Sequence, residues 1–146
     1  MALAFHIVII DDDLALQEFY RLLLENEGYT VTVFPYLTQN MSSISALHPD
    51  LIILDLFIDG KQGGWSFLQS LKSAPQTAAV PVLLATALPV VLFDAELQAF
   101  IQSQNIPVIA KPFDVDMFLA VIRSFLPDTP RALSSASCYG SEEESV

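Results

Sequence analysis

The sequence predicts an α/β fold in which one parallel β-sheet carries helices on both of its faces. Five short apolar runs alternate along the chain with longer segments whose apolar residues recur at helical spacing. The runs are continuously apolar, as is typical of parallel strands covered on both faces. Hydrophobic residues make up 53% of the 146 residues, so the chain can bury the core of one domain.

The predicted strands are these five runs, at residues 5–10, 30–34, 51–54, 81–85 and 107–110. Strict alternation of strand and helix implies parallel neighbours joined by right-handed crossovers. Five such units in a chain of this length are typical of a flavodoxin-like, doubly wound sheet with strand order 2-1-3-4-5.

Five helices follow the strands in this prediction. Asp13 can cap the first helix at its N-terminus, and Gly28 suits its end. The other helices are predicted at about residues 37–47, 65–74, 91–103 and 114–126. From Pro127 onward, proline, serine and consecutive glutamates replace the apolar pattern. We therefore expect one domain over residues 1–127 and a flexible tail or linker over residues 128–146.

Composition argues against two classes of function. The formal net charge is −11, from 17 acidic residues and only six lysines and arginines. Those six are scattered, so this domain should not bind nucleic acid, which requires clustered cations. There is no run of about 18 apolar residues to span a membrane, and no basic segment precedes the first apolar run as in a signal peptide. The single cysteine, Cys138, cannot form an internal disulfide, which agrees with a cytoplasmic protein.

Charged and polar residues stand directly after four of the predicted strands. In strand order they are Asp11, Asp12 and Asp13, then Asp55, Thr86 and Lys111. Ligands of an open parallel sheet bind beyond the carboxyl ends of its strands, so these side chains should share one edge. Clustered carboxylates repel one another unless a cation joins them, and Mg²⁺ prefers such oxygen ligands. Asp55 can then attack a phosphoryl group, while Lys111 neutralises developing charge and Thr86 donates a hydrogen bond.

Each of these residues also has an ordinary structural interpretation. The acidic triplet can favour a helix N-terminus through the helix dipole, and Asp55 can be a turn residue. A threonine at a strand end and a lysine before proline, as at Thr86 and Lys111, are commonly structural. Four independent accidents would have to fall on the same edge, so we prefer the functional interpretation.

Together these motifs resemble the receiver domain of two-component response regulators. The resemblance covers residues 5–126 and rests on four segments. They are Ile-Val-Ile-Ile-Asp-Asp-Asp at 7–13, Leu-Ile-Ile-Leu-Asp-Leu at 51–56, Pro-Val-Leu-Leu-Ala-Thr-Ala at 81–87 and Lys-Pro-Phe at 111–113. The order and spacing of the segments agree with that family.

The resemblance implies roles for the matching positions. Asp55 would accept a phosphoryl group from a histidine kinase or a histidine phosphotransfer protein. Asp12 would bind Mg²⁺ together with Asp55, and Asp11 would act on the metal largely through water. The backbone carbonyl of Phe57 would complete the protein ligands.

The resemblance also implies that Thr86 and Lys111 contact the phosphoryl group, and that the Lys111–Pro112 peptide is cis. Two departures from the family are visible. Val108 stands where an aromatic switch residue is expected, so an aromatic switch coupled to Thr86 is not expected. The loop after the phosphoacceptor, residues 57–65, lacks the usual proline and is one residue longer, although its glycines permit a tight turn.

Two other functions are alternatives to a phosphorylation switch. An aspartyl-nucleophile phosphohydrolase would need a second aspartate two residues after Asp55, where Phe57 stands. A pseudo-receiver that only binds partners would not need the complete set, which consists of the acidic pair Asp11 and Asp12 with Asp55, Thr86 and Lys111. Because Phe57 and Leu88 are apolar and cannot orient water, we expect slow self-dephosphorylation.

The last two helices carry more apolar residues than one buried face requires. On the fourth they are Val91, Leu92, Phe93, Leu97, Phe100 and Ile101, and on the fifth Val115, Met117, Phe118, Leu119, Val121, Ile122, Phe125 and Leu126. Extra core packing is one explanation. The preferred one is an exposed interaction surface on helix 4, strand 5 and helix 5, through which the protein forms a homodimer or binds its target.

Overall fold

Five parallel strands form the single sheet of the computed structural model, which describes residues 4–35, 41–57, 63–89 and 93–126. The strands are β1 His6–Ile10, β2 Thr30–Phe34, β3 Leu51–Asp55, β4 Val82–Thr86 and β5 Val108–Ala110. Their order is β2-β1-β3-β4-β5, so the predicted fold class and topology are confirmed.

The helices are α1 Leu14–Asn26, α2 Met41–Ser45, α3 Gly63–Ser73, α4 Ala95–Gln104 and α5 Val115–Phe125. The Asp13 side chain caps α1 by accepting a hydrogen bond from the backbone N–H of Leu16, as predicted. Helix α4 begins later than predicted, and Val91 and Leu92 lie outside the described residues. None of the described helices is both long and apolar enough to cross a membrane.

Alternation along the strands divides the core into two layers. Val8 and Ile10 of β1 face the layer that packs against α2, α3 and α4. Ile7 and Ile9 face the layer that packs against α1 and α5. Burial on both faces explains why the strands are continuously apolar. Continued past the end of β1, the same alternation directs Asp11 toward the side of α1 and α5.

The apolar residues of α4 were predicted to be exposed, but those that the structure describes are buried or half-buried. Leu97 and Ile101 are buried, as is Phe93 just before the helix. Phe100 is half-buried and meets Trp65 of α3 edge-on, with ring centroids 5.2 Å apart. For the described part of α4 the prediction of an exposed apolar face is therefore wrong, because these side chains fill the layer between the sheet and α3.

The large apolar side chains that the described residues do expose lie elsewhere. They are Leu14, Phe19 and Leu22 on α1, and Val115 and Met117 on the first turn of α5. Most of the remaining apolar residues of α5 are buried or half-buried in the core. A homodimer through helix 4, strand 5 and helix 5 stays a prediction.

Candidate functional site

The sheet itself brings the candidate residues to one edge. The backbone N–H of Asp11 donates to the carbonyl of Phe34 at 3.2 Å, and that of Lys111 donates to Thr86 at 2.9 Å. These bonds extend the parallel ladder one residue past β1 and β5. Asp55 is the last residue of β3, between those two strands' ends. The backbone hydrogen bonds of the sheet thus fix the positions of the Cα atoms of Asp11, Asp55 and Lys111.

A single ammonium group joins the two buried carboxylates of the site. The Lys111 Nζ lies 2.7 Å from Asp11 Oδ2 and 3.4 Å from Asp55 Oδ2. The three side chains are only 17%, 2% and 10% exposed, respectively. Because water screens charges poorly at such burial, these ion pairs act more strongly than pairs on the surface.

Asp11 is held by several hydrogen bonds besides its ion pair. Its Oδ1 accepts from the backbone N–H of Asp13 at 3.0 Å, and its backbone carbonyl accepts from Gln17 Nε2 at 2.7 Å. Gln17 was not among the residues predicted for the site. The available signal was a polar residue one helical turn after Asp13, at a position where α1 faces back toward the end of β1.

Burial disfavours the charged form of the Asp55 carboxyl. Burial raises the pKa of its carboxyl, while the backbone N–H of Phe57, at 3.0 Å from Oδ1, and the charge of Lys111 lower it. Asp11 raises this pKa further by repulsion. The net shift is upward, so one lysine does not fully compensate the charge of this carboxylate. A further cation in the site would complete the compensation of this charge.

The donor atoms fit a hard divalent cation. One carboxylate oxygen from each of Asp11, Asp12 and Asp55 lies within 4.8 Å of the others. An all-oxygen set of this kind suits Mg²⁺, and Asp12 is exposed, which leaves an approach from solvent. Ligation by the Phe57 carbonyl stays a prediction.

Asp12→Asn should weaken Mg²⁺ binding at least about tenfold, or about 1.4 kcal/mol, because an anionic ligand becomes a neutral amide. Calorimetric titration of the metal measures this. Asp13→Asn is the matched control, since it removes the same charge one residue away and keeps an oxygen able to cap α1. Unchanged affinity in Asp12→Asn would remove Asp12 from the ligand set.

A pocket of about 330 Å³ opens in front of Asp55, lined also by Phe57, Ala87, Leu88 and Lys111. Thr86 is 1% exposed and does not line this pocket. Its Oγ1 accepts a hydrogen bond from the backbone N–H of Leu88 at 3.1 Å. The structure thus places Thr86 next to the pocket, where it shapes the turn after β4, and its predicted contact with a phosphoryl group stays a prediction.

A second groove, of about 400 Å³, adjoins the site between α1 and the loop from β5 to α5. Its lining residues are Asp13, Leu16, Phe19, Ala87, Lys111, Pro112 and Phe113. The Lys111–Pro112 peptide in this loop is cis, as predicted. Ala87 and Lys111 line both cavities, so the groove leads directly to Asp55.

Comparison with known proteins points to one family. The model of the family described as response regulator receiver domain matches residues 7–123. The DNA-binding dual master transcriptional regulator RpaA of Synechocystis sp. is 35% identical over 130 residues, covering 89% of this chain and 52% of RpaA. The transcriptional regulatory protein CseB of Streptomyces coelicolor is 28% identical over 121 residues, covering 83% of this chain and 49% of CseB. This chain spans about half the length of these two relatives.

Solved structures share the fold. A CheY-like response regulator receiver domain protein from Methanospirillum hungatei has a TM-score of 0.71 at 21% identity, covering 86% of this chain and 95% of its own. The signal receiver domain of a two-component histidine kinase from Clostridium thermocellum has a TM-score of 0.70 at 22% identity, covering 85% and 98%. At these identities the likeness concerns the fold alone.

Proposed function

Because this chain belongs to the family of response regulator receiver domains, we propose that it is a signalling switch phosphorylated on Asp55. The phosphoryl group comes from a phosphohistidine, on a histidine kinase or a histidine phosphotransfer protein. Mg²⁺ is the proposed cofactor, with Asp11, Asp12, Asp55 and the Phe57 carbonyl as its protein ligands. The phosphorylated form presents a changed surface to its target, and the proposed location is the cytoplasm.

The observation that carries this proposal is the ammonium of Lys111 shared between Asp11 and Asp55. In the transfer, an oxygen of Asp55 forms a bond to phosphorus as the bond from phosphorus to the donor's histidine nitrogen breaks. The electron pair of the broken bond stays on the imidazole, which takes a proton from solvent. Lys111 turns to the phosphoryl oxygens and stabilises their charge. Bound Mg²⁺ supplies further positive charge at the same place.

Exposed apolar residues beside the site support a protein as the donor. Leu14, on the first turn of α1, is 75% exposed. Phe19 is 38% exposed and lines the groove that leads to Lys111. Exposed apolar area of this kind usually marks an interaction site. We therefore propose that the phosphohistidine protein docks over the start of α1 and the loop that follows β5.

The proposed output is a contact with protein, and not with nucleic acid. RpaA is described as DNA-binding, and this chain spans only about half of it. The formal net charge of −11 and the scattered lysines and arginines do not suit binding to DNA phosphates. If the chain takes part in gene control, another domain or protein makes the contact with DNA.

Phosphorylation by acetyl phosphate tests the function directly. With Mg²⁺, intact-protein mass spectrometry should show the addition of one phosphoryl group, and with excess chelator it should show none. Absence of uptake from both acetyl phosphate and a phosphohistidine protein would leave only the role of a binding module. Rapid catalytic turnover of phosphate monoesters would favour a phosphohydrolase instead.

We expect the phosphorylated protein to lose its phosphate slowly, over minutes or longer. Hydrolysis needs a water oriented toward phosphorus, and the side chains of Phe57 and Leu88, which line the pocket, offer no hydrogen bond to hold one. Mass spectrometry after removal of acetyl phosphate gives the decay rate.

Leu88→Asn should shorten this lifetime several-fold, because the amide can bind and orient a water. Leu22→Asn is the matched control, since Leu22 is 63% exposed on α1 and does not line the pocket. Decay of the wild type within seconds, or identical decay in Leu88→Asn, would contradict the argument.

A further inference from the structure

The hydroxyl of Tyr20 stands out in the part of the chain that the structure describes. It is the one buried side-chain polar atom there for which no hydrogen-bond partner is found. Tyr20 lies in the middle of α1 and is fully buried. An unpaired hydroxyl in the interior destabilises the protein, and a phenylalanine would fill the same space without that penalty. The position therefore calls for a functional explanation.

Tyr20 packs directly beneath the candidate site. Its ring stacks on Phe113, with centroids 5.9 Å apart, and meets Phe118 of α5 at 5.6 Å. Phe113 follows Lys111 by two residues, so Tyr20 contacts the loop that carries the lysine. Tyr20 belongs to the core layer on the side of α1 and α5, toward which Asp11 is also directed.

The negative charges of Asp11 and Asp55 act on the Tyr20 hydroxyl. Burial raises the pKa of Tyr20, and the negative charge of Asp11 adds most among the charged groups, ahead of Asp55. The hydroxyl therefore keeps its proton at physiological pH. A protonated phenol can serve as a hydrogen-bond donor to a carboxylate.

Phosphorylation of Asp55 should remove one hydrogen-bond donor from the Asp11 carboxylate. Its Oδ1 accepts from the fixed backbone N–H of Asp13, and its Oδ2 accepts from Lys111 at 2.7 Å. Lys111 is the mobile one of these two donors, since it ends a flexible side chain. When it turns to the phosphoryl oxygens, the Asp11 carboxylate, which is only 2% exposed, loses this hydrogen bond, and a metal ion on the same carboxylate would balance its charge without replacing the donor.

We propose that Tyr20 is a positioning residue, whose hydroxyl donates a hydrogen bond to Asp11 once Lys111 has turned to the phosphoryl group. This inference rests on the proposed phosphorylation of Asp55. The new hydrogen bond holds Asp11 in place for the metal and stabilises the phosphorylated state relative to the free state. The hydroxyl thus has no partner in one state of the switch and gains one in the other.

Tyr20→Phe tests this, because it removes only the hydroxyl. Beryllofluoride with Mg²⁺, a stable analogue of the phosphoryl group, should bind this variant about tenfold more weakly than the wild type. The free variant should resist urea at least as well as the wild type. These opposite changes separate a positioning role from a packing role, which would weaken both together.

Tyr29→Phe is the matched control. Tyr29 is also buried, at 6% exposure, but it precedes β2 at the opposite end of the sheet from the site. The same change there should leave beryllofluoride affinity as in the wild type. An equal loss in both variants would overturn the proposal, because it would show a general effect of removing a tyrosine hydroxyl.

A second measurement uses the wild type and does not depend on how Tyr20→Phe folds. With ¹³C-labelled tyrosine, the Cζ resonance of Tyr20 should shift on addition of Mg²⁺ and beryllofluoride, as its hydroxyl gains an acceptor. If the wild type binds no beryllofluoride, the proposed phosphorylation of Asp55 fails, and this inference fails with it. If the wild type binds it and the Cζ resonance stays in place, or Tyr20→Phe binds it equally well, only the role of Tyr20 is overturned.

Discussion

Asp55→Asn should reduce phosphorylation to background, with acetyl phosphate and with a phosphohistidine protein alike. The amide has nearly the same shape but lacks the anionic oxygen that attacks phosphorus. Asp11 is not expected to replace it, because its side chain is only 2% exposed and does not line the pocket that opens in front of Asp55. Mass spectrometry at saturating donor measures the uptake.

Asp50→Asn is the matched control for this variant. Asp50 stands just before β3, at the other end of the strand from Asp55, and its Oδ2 accepts from the backbone N–H of His6 at 2.8 Å. An amide oxygen can accept the same bond, so this variant should be phosphorylated like the wild type. Wild-type rate and stoichiometry in Asp55→Asn would show that Asp55 is not the acceptor.

The loss in Asp55→Asn should not come from unfolding. Burial raises the pKa of Asp55, so its carboxyl holds a proton more tightly in the folded state than in the unfolded chain. Such a group loses its contribution to stability as pH rises through the raised pKa. Without metal at pH 7, the amide should therefore raise the free energy of unfolding. This gain should vanish at a pH well below about 3.9, the usual aspartate pKa.

The strand positions and the sheet order could be predicted because both faces of the sheet are covered. Residues such as Ile9 and Ile10 point to opposite sides and are both buried, so each strand is continuously apolar. The start of α4 could not be predicted in the same way. Phe93 continues the apolar pattern of the helix, yet it lies before the helix begins at Ala95 and packs into the core. Periodicity alone does not separate a buried loop residue from a helical one.

The charged residues of the candidate site could be located from the sequence because strand ends converge at one edge. That rule brings Asp11, Asp55 and Lys111 together without knowledge of any side-chain contact. The rule does not predict a role for Gln17 and Tyr20, which lie on α1 and not at the end of a strand. Their sequence positions fit an ordinary amphipathic helix. Only the packing of α1 shows their place, with Gln17 bonded to the backbone of Asp11 after β1 and Tyr20 stacked on Phe113 after β5.

Gly64 marks a close approach of α3 to the end of β3. A Cβ atom at this position would lie 2.6 Å from the Cα of Leu56, 2.7 Å from the carbonyl oxygen of Asp55 and 2.8 Å from that of Leu56. All three are backbone atoms, so none can move aside by a change of rotamer. The backbone N–H of Gly64 donates to the Leu56 carbonyl at 3.1 Å, which ties the helix to the strand end at this distance.

Gly64→Ala should therefore destabilise the protein by about 2–3 kcal/mol, as expected of an overpacked core position. This reverses the usual effect of the substitution, which stabilises a helix by roughly 0.5–1 kcal/mol. Urea unfolding measures the change, and Gly63→Ala, which alters the unfolded chain in the same way, should be at least as stable as the wild type. Because the helix and strand must separate to admit the methyl group, Asp55 should also shift relative to Lys111, and phosphorylation should slow in the folded variant. Wild-type stability in Gly64→Ala would show that α3 does not pack this closely on the strand that carries Asp55.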